Sequence, residues 1–244
     1  MLDEVESLKI TTIVDNNTLS RELESTWGLS FFVSVTVRNK LFNVLVDTSG
    51  SAQAFFHNID KLGIKPQNID AIFISHRHTD HFGALPYVLE SIAKPVMVYV
   101  PSFRFFDSDY LQELGGIQVV TDRASILFPG GMSTGDVGRG LSEHALIVNV
   151  KNKGLMIITG CSHPGVVETI RKACEVSEVS RIYGIMGGFH ISGKEAEKVA
   201  DYLQEIGVKM VSPAHCTGTE AKEIIKQKLE KEYVANGSGL IITI

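Results

Sequence analysis

The alternation of apolar and polar positions divides the chain before any chemistry is considered. Residues 8–14, 30–37 and 41–46 are rich in β-branched and aromatic side chains and predict three strands, with Arg38-Asn39-Lys40 as a hairpin turn. Asp47-Thr48-Ser49-Gly50-Ser51 ends the third strand with turn chemistry. Residues 52–62 carry Ala54, Phe55, Ile59 and Leu62 at helical spacing. Ala71-Ile72-Phe73-Ile74-Ser75 is a short continuous apolar run, the pattern of a buried strand, and a helix is expected to begin near Phe82-Gly83-Ala84-Leu85.

The second half repeats the theme. Residues 145–150 and 155–158 predict a hairpin around Lys151-Asn152-Lys153-Gly154. Helices are expected at 165–177, 193–206 and 219–232, and strands at 181–186, 209–212 and 240–244. In 193–206 the residues Ala196, Val199, Ala200, Leu203 and Ile206 form one stripe. Strands with covering helices in both halves predict an α/β chain. The Gly-rich stretch 129–140 reads as a long loop.

Composition narrows the classes. At 244 residues, 44% hydrophobic and 21% charged, the chain can bury a sizeable core and is neither disordered nor fibrous. No apolar run reaches the roughly 18 residues of a membrane span. The segment Met1-Leu2-Asp3-Glu4-Val5-Glu6 has neither the basic nor the apolar region of a signal peptide. The cysteines are Cys161, Cys174 and Cys216, an odd number without framework spacing, which suits a reducing cytoplasm. A net charge of -5 weighs against nucleic acid as a partner. The expectation is a cytoplasmic protein acting on a small molecule, with no membrane partner and an oligomeric state that the sequence leaves open.

Histidines carry the chemistry. Ser75-His76-Arg77-His78-Thr79-Asp80-His81 follows a buried strand directly. On an extended segment residues i and i+2 point to one side, so His76 and His78 can chelate one ion. Asp80 and His81, at the turn into a helix, can serve a second. Imidazole with carboxylate suits zinc, iron or manganese more than calcium or magnesium. His163, His190 and His215 each sit in a short turn just after an expected strand, and strand ends on one edge of an α/β sheet are the usual place for sites. His57 reads as an ordinary helix residue, and His144 is favoured as a non-ligand. Arg77 reads either as an anion contact or as a solvent-facing residue between two ligands.

At these residues the chain resembles the metallo-β-lactamase superfamily. His76-x-His78-x-Asp80-His81 carries the likeness, with Asp47 similar to the first motif and His215 to the last. Gly160-Cys161-Ser162-His163-Pro164-Gly165, Gly187-Gly188-Phe189-His190 and His215-Cys216-Thr217-Gly218 resemble a branch of metal-dependent hydrolases typified by an archaeal dihydropterin–ribofuranosylaminobenzene phosphate synthase. The resemblance implies a four-layer αβ/βα sandwich, one domain over 1–244 with similar halves at roughly 1–120 and 121–244, and two divalent ions. Zinc is the first choice, iron or manganese the alternatives. It implies His76 and His78 on the first ion, and Asp80, His81 and His215 on the second. Cys161 stands where the family's bridging carboxylate belongs, and His163 replaces a missing middle histidine on the first ion. Asp47-Thr48-Ser49-Gly50 departs from the branch's Asp-Thr-Gly, and Arg77 and Thr79 depart from its Gly and Tyr.

The expected activity is hydrolysis of a small substrate, phosphorylated ones included, by metal-activated water. Asp80 would orient the nucleophile or take its proton, and His190 would donate to the leaving group or bind a substrate anion. Asp47 would fix a ligating imidazole or a metal-bound water. Three other readings compete: a pterin-joining transferase on the same centre, a di-iron redox module, and a non-catalytic metal-binding protein.

Overall fold

The structure, a computed structural model, describes residues 2–101, 107–138 and 140–244. The chain forms two compact units. The first contains Glu6–Asp122 and Asn236–Ile244, the second Met1–Val5 and Arg123–Ala235.

The first unit begins with β1 (Ser7–Val14), β2 (Ser30–Val37) and β3 (Lys40–Val46), followed by α1 (Ala52–Lys61) and β4 (Ala71–Phe73). Then come α2 (Thr79–Phe82), α3 (Leu85–Ile92), β5 (Val96–Val100), α4 (Ser108–Glu113) and β6 (Gly116–Val120). The second unit is built from β7 (Arg123–Phe128), β8 (Gly131–Gly135), β9 (Leu146–Val150), β10 (Gly154–Thr159) and α5 (Val166–Ser177). It continues with β11 (Ile182–Gly188), α6 (Gly193–Glu205), β12 (Met210–Ala214) and α7 (Thr219–Lys228). The last strand, β13 (Ile241–Thr243), belongs to the first unit.

In the first unit the sheet order is β13-β1-β2-β3-β4-β5-β6. β1 to β3 pair antiparallel, and β3 to β6 pair parallel. The β2–β3 hairpin turns at Arg38 and Asn39, both with positive φ, as a two-residue turn requires. Ser51 caps α1 by accepting from the Ala54 N–H. That directs Phe55 and Ile59 into a core with Ile72, Ile74, Leu85, Leu89 and Val98. Burying each such side chain contributes about 1.5–3 kcal/mol.

In the second unit the order is β12-β11-β10-β9-β8-β7. β9 and β10 form the expected antiparallel hairpin, while β10, β11 and β12 run parallel. Ile170 and Ala173 of α5 and Ala196, Val199, Ala200 and Leu203 of α6 pack with Ile157, Ile185 and Val211. Both units thus have the expected α/β build, a mixed sheet with helices.

Two expectations are corrected. The stretch 129–140 is not simply a loop: Gly131–Gly135 forms β8, buried along its length and paired with β7 and β9. Glycine and serine are poor strand formers in isolation, but packing against neighbours decides. A Cβ on Gly131 would lie 2.0 Å from the Phe128 ring, so glycine is what lets that ring cross the strand. Arg139, also in that stretch, lies outside the described residues. Helix α7 also stops at Lys228, short of the expected 232.

Candidate metal centre

In the first unit β3 and β4 are parallel neighbours, with Val46 opposite Phe73. Their carboxyl ends therefore lie side by side, and the Asp47 N–H donates to the Phe73 carbonyl at 2.8 Å. Asp47 is fully buried and holds φ at 56°. Its Oδ1 accepts from the Ser75 backbone N–H at 2.7 Å, and its Oδ2 accepts from Ser75 Oγ at 2.7 Å. Oδ2 also lies 2.6 Å from Nδ1 of His81.

This network fixes two imidazoles. His81 gives its Nδ1 hydrogen to the carboxylate, leaving Nε2 with its lone pair, 4.0 Å from Asp80 Oδ2. The single hydroxyl hydrogen of Ser75 goes to Asp47, so Ser75 Oγ can only accept from Nδ1 of His76, 2.9 Å away. Nε2 of His76 is then also a donor atom, and it lies 3.0 Å from Nδ1 of His78. The His76 and His81 ring centroids are 4.1 Å apart. His76 and His81 are buried, His78 and Arg77 exposed, and the Asp80 side chain is 20% exposed. Gly50 is where the turn after β3 meets this segment: a Cβ there would sit 3.1 Å from the Asp80 Cα.

In the second unit the ends of β10, β11 and β12 line up, with Thr159 opposite Gly187 and Gly188 opposite Ala214. Cys161, His163, His190 and His215 leave these ends. Cys161 and His215 come together with Cys216: one donor atom from each lies within 4.8 Å of the others. Gly188 makes room for them, since a Cβ there would fall 2.6 Å from Cys216 Sγ and 2.5 Å from the Gly160 carbonyl. The rings of His163 and His190 lie with centroids 4.7 Å apart, His163 half-buried and His190 exposed.

Two residues of this unit carry no site role in the sequence pattern. Cys216 stands there only as part of the segment His215-Cys216-Thr217-Gly218, with no ligand role assigned to it. Glu143 is buried, and its carboxylate takes the backbone N–H groups of Cys161, Ser162 and His163 as well as Nδ1 of His163. Nothing local marks it: β9 runs antiparallel to β10, with Leu146 opposite Ile158, and only that pairing brings residue 143 beside the turn after β10.

Non-glycine residues with positive φ have two uses here. Arg38, Asn39 and Asn152 make hairpin turns, and Ala93 and Glu178 end helices. Asp47, Ser49, Ser162, His190 and His215 are instead the residues of the strand-end clusters. Such conformations cost about 1–3 kcal/mol each and persist where the surroundings hold them.

The two remaining histidines have other hydrogen-bond partners. His57 lies on α1 with Nε2 2.8 Å from the Glu22 carbonyl. His144 is buried with Nδ1 2.9 Å from Ser133 Oγ. Burial pushes the Cys174 thiol of α5 above its ordinary value, opposed more weakly by a backbone hydrogen bond.

The donor set fits a divalent metal. Imidazole nitrogens backed by a carboxylate, with thiols beside a further imidazole, suit zinc and its neighbours. No helix among the described residues is long and apolar enough to cross a membrane.

Comparison with known proteins agrees. The chain is 26% identical to the 7,8-dihydropterin-6-methyl-4-(beta-D-ribofuranosyl)-aminobenzene-5'-phosphate synthase of Methanocaldococcus jannaschii, over 99% of this chain and 98% of the relative. Among solved structures it is similar to a metal-dependent hydrolase of the beta-lactamase superfamily, with a TM-score of 0.76 and 27% identity, covering 96% of this chain and 98% of the other. The metallo-beta-lactamase fold protein YhfI from Bacillus subtilis shares the fold, with a TM-score of 0.68 at 12% identity over 98% of this chain and 100% of its own. The family profile of the metallo-beta-lactamase superfamily matches residues 30–168, more than half of the sequence, and the chain belongs to that superfamily.

Proposed function

We propose that the chain is a metal-dependent hydrolase acting on a small molecule in the cytoplasm. The observation that carries this reading is the pair of imidazoles, His76 and His81, both fixed through Asp47 so that Nε2 is the donor atom. A purely structural histidine has no need of such preparation. Membership of the superfamily and the likeness to a metal-dependent hydrolase support it.

His76, His78, Asp80 and His81 of the first unit, and Cys161, His163 and His215 of the second, would serve as ligands for two divalent ions, zinc by preference. Ions so held would supply a water whose pKa is lowered to about 7, hence a nucleophile at neutral pH. Asp80, partly open to solvent, would orient that nucleophile or hold its proton. His190, exposed at the end of β11, would donate a proton to the leaving group or bind a substrate anion.

A second reading rests on the full-length likeness to the pterin-type synthase. The same ligands would then serve group transfer, with a leaving group ionised at the centre. A screen of phosphoesters, thioesters and lactones, run with and without an acceptor amine, separates the two. Turnover without acceptor that is lost in His76→Ala supports hydrolysis, product formed only with the amine supports transfer, and turnover retained in His76→Ala contradicts both.

A further inference from the structure

Glu143 has no place in the ligand set above, yet it is only 2% exposed. Oε1 accepts from the backbone N–H groups of Cys161 at 2.8 Å and Ser162 at 2.7 Å, and from Thr159 Oγ1 at 3.3 Å. Oε2 accepts from the His163 backbone N–H at 2.9 Å and lies 2.8 Å from Nδ1 of the same residue. Backbone N–H groups can only donate. Three of them converging with a hydroxyl engage the carboxylate as an acceptor. The contact with His163 is then satisfied when Nδ1 carries the ring hydrogen. A neutral imidazole has one such hydrogen, so Nε2 keeps its lone pair.

We infer that Glu143 is a positioning residue for His163: it fixes the turn after β10 by three backbone hydrogen bonds and sets the imidazole tautomer so that Nε2 is the donor atom. The backbone and the ring are held by one group, so ring orientation and turn shape are set together. Ser162 sits at φ 55° within this turn, a conformation that the hydrogen bonds of its neighbours hold in place. The consequence for metal binding rests on the reading of His163 as a ligand, but the tautomer belongs to the chain itself.

The test begins with the unaltered full chain, labelled with 15N-histidine, freed of metal and held at about pH 8, above the ordinary imidazole range. The His163 signals are identified as those missing in His163→Ala. The inference expects a protonated Nδ1 and an unprotonated Nε2, and the reverse tautomer overturns it. No variant at 143 is needed for this step, so a folding defect in such a variant cannot obscure it.

The second step measures zinc affinity by competition with a chromophoric chelator. Glu143→Gln should weaken binding by about 10–100-fold, the usual effect of losing the partner of a ligating imidazole. In a His163→Ala background the same substitution should change affinity less than about twofold, because its target is gone. An equal loss in both backgrounds would make Glu143 a prop for the turn only and overturn the inference. If His163→Ala alone leaves zinc affinity unchanged, the ligand assignment of His163 fails, while the tautomer still decides the role of Glu143.

Discussion

In the first unit a buried aspartate closes β3 and reaches sideways to the end of β4. In the second a buried glutamate precedes β9 and reaches the end of β10. Both carboxylates gather a turn and fix an imidazole, but they divide their hydrogen bonds differently. Asp47 accepts from one backbone N–H, one hydroxyl and one imidazole, and prepares a second imidazole through the hydroxyl. Glu143 accepts from three backbone N–H groups, one hydroxyl at the longer distance of 3.3 Å, and one imidazole. The strain is divided differently too. Around Asp47 it lies on the carboxylate's own side, at Asp47 and Ser49, whereas in the turn that Glu143 holds it lies at Ser162, with His190 and His215 strained at the neighbouring strand ends. A short side chain must be carried into place by its backbone, while a longer one can reach and let the turn adapt. Asp47 is therefore mainly a device for imidazoles and Glu143 mainly a device for the backbone.

The largest effect that would break this comparison is on stability. Glu143→Ala leaves three backbone N–H groups without their acceptor, at about 1–3 kcal/mol each when buried. Allowing for relaxation, a loss of about 3–6 kcal/mol is expected by urea denaturation. Asp47→Ala strands one such N–H with a hydroxyl and an imidazole, and should cost less, about 2–4 kcal/mol. The opposite ranking would mean that backbone donors are not what Glu143 chiefly serves.

A smaller change sharpens the ligand side. Asp47→Asn keeps an acceptor for the Ser75 N–H but weakens the hold on both His76 and His81. Zinc affinity should fall about 10–100-fold, with stability changed by about 1 kcal/mol. Unchanged affinity, read by competition with a chelator, would detach Asp47 from metal binding. Smallest of all, Ser75→Ala cuts only the relay to His76 and leaves the Asp47–His81 pair standing. It should cost about 1 kcal/mol in stability and reduce zinc affinity less than Asp47→Asn does. A larger loss would place the greater share of the effect on His76.

Much of this was legible in the sequence. The strands 8–14, 30–37 and 41–46 and the helix 193–206 were readable because one face of each is apolar at the right period. The strands from β6 to β8 are not legible in the pattern. There Ile117 and Ile126 point outward, 49% and 71% exposed, and β8 is mostly glycine, serine and threonine, so the apolar period is broken. The histidine cluster at 76–81 was visible because histidine is uncommon and its spacing within an extended segment is chemically meaningful. Asp47 could be picked out at a strand end by its motif. Glu143 and Cys216 could not: glutamate is an ordinary surface residue, and its burial here is created by strand pairing. Cys216 acquires its thiol and imidazole neighbours only because β10, β11 and β12 are parallel neighbours.

The most direct test of the account is the metal content of the full chain, reconstituted with zinc, freed of excess and measured by elemental analysis, beside His76→Ala and His163→Ala. The account predicts about two ions per chain in the unaltered protein and a clear fall in each variant. A chain that retains no zinc, or whose zinc is untouched by both substitutions, would contradict it.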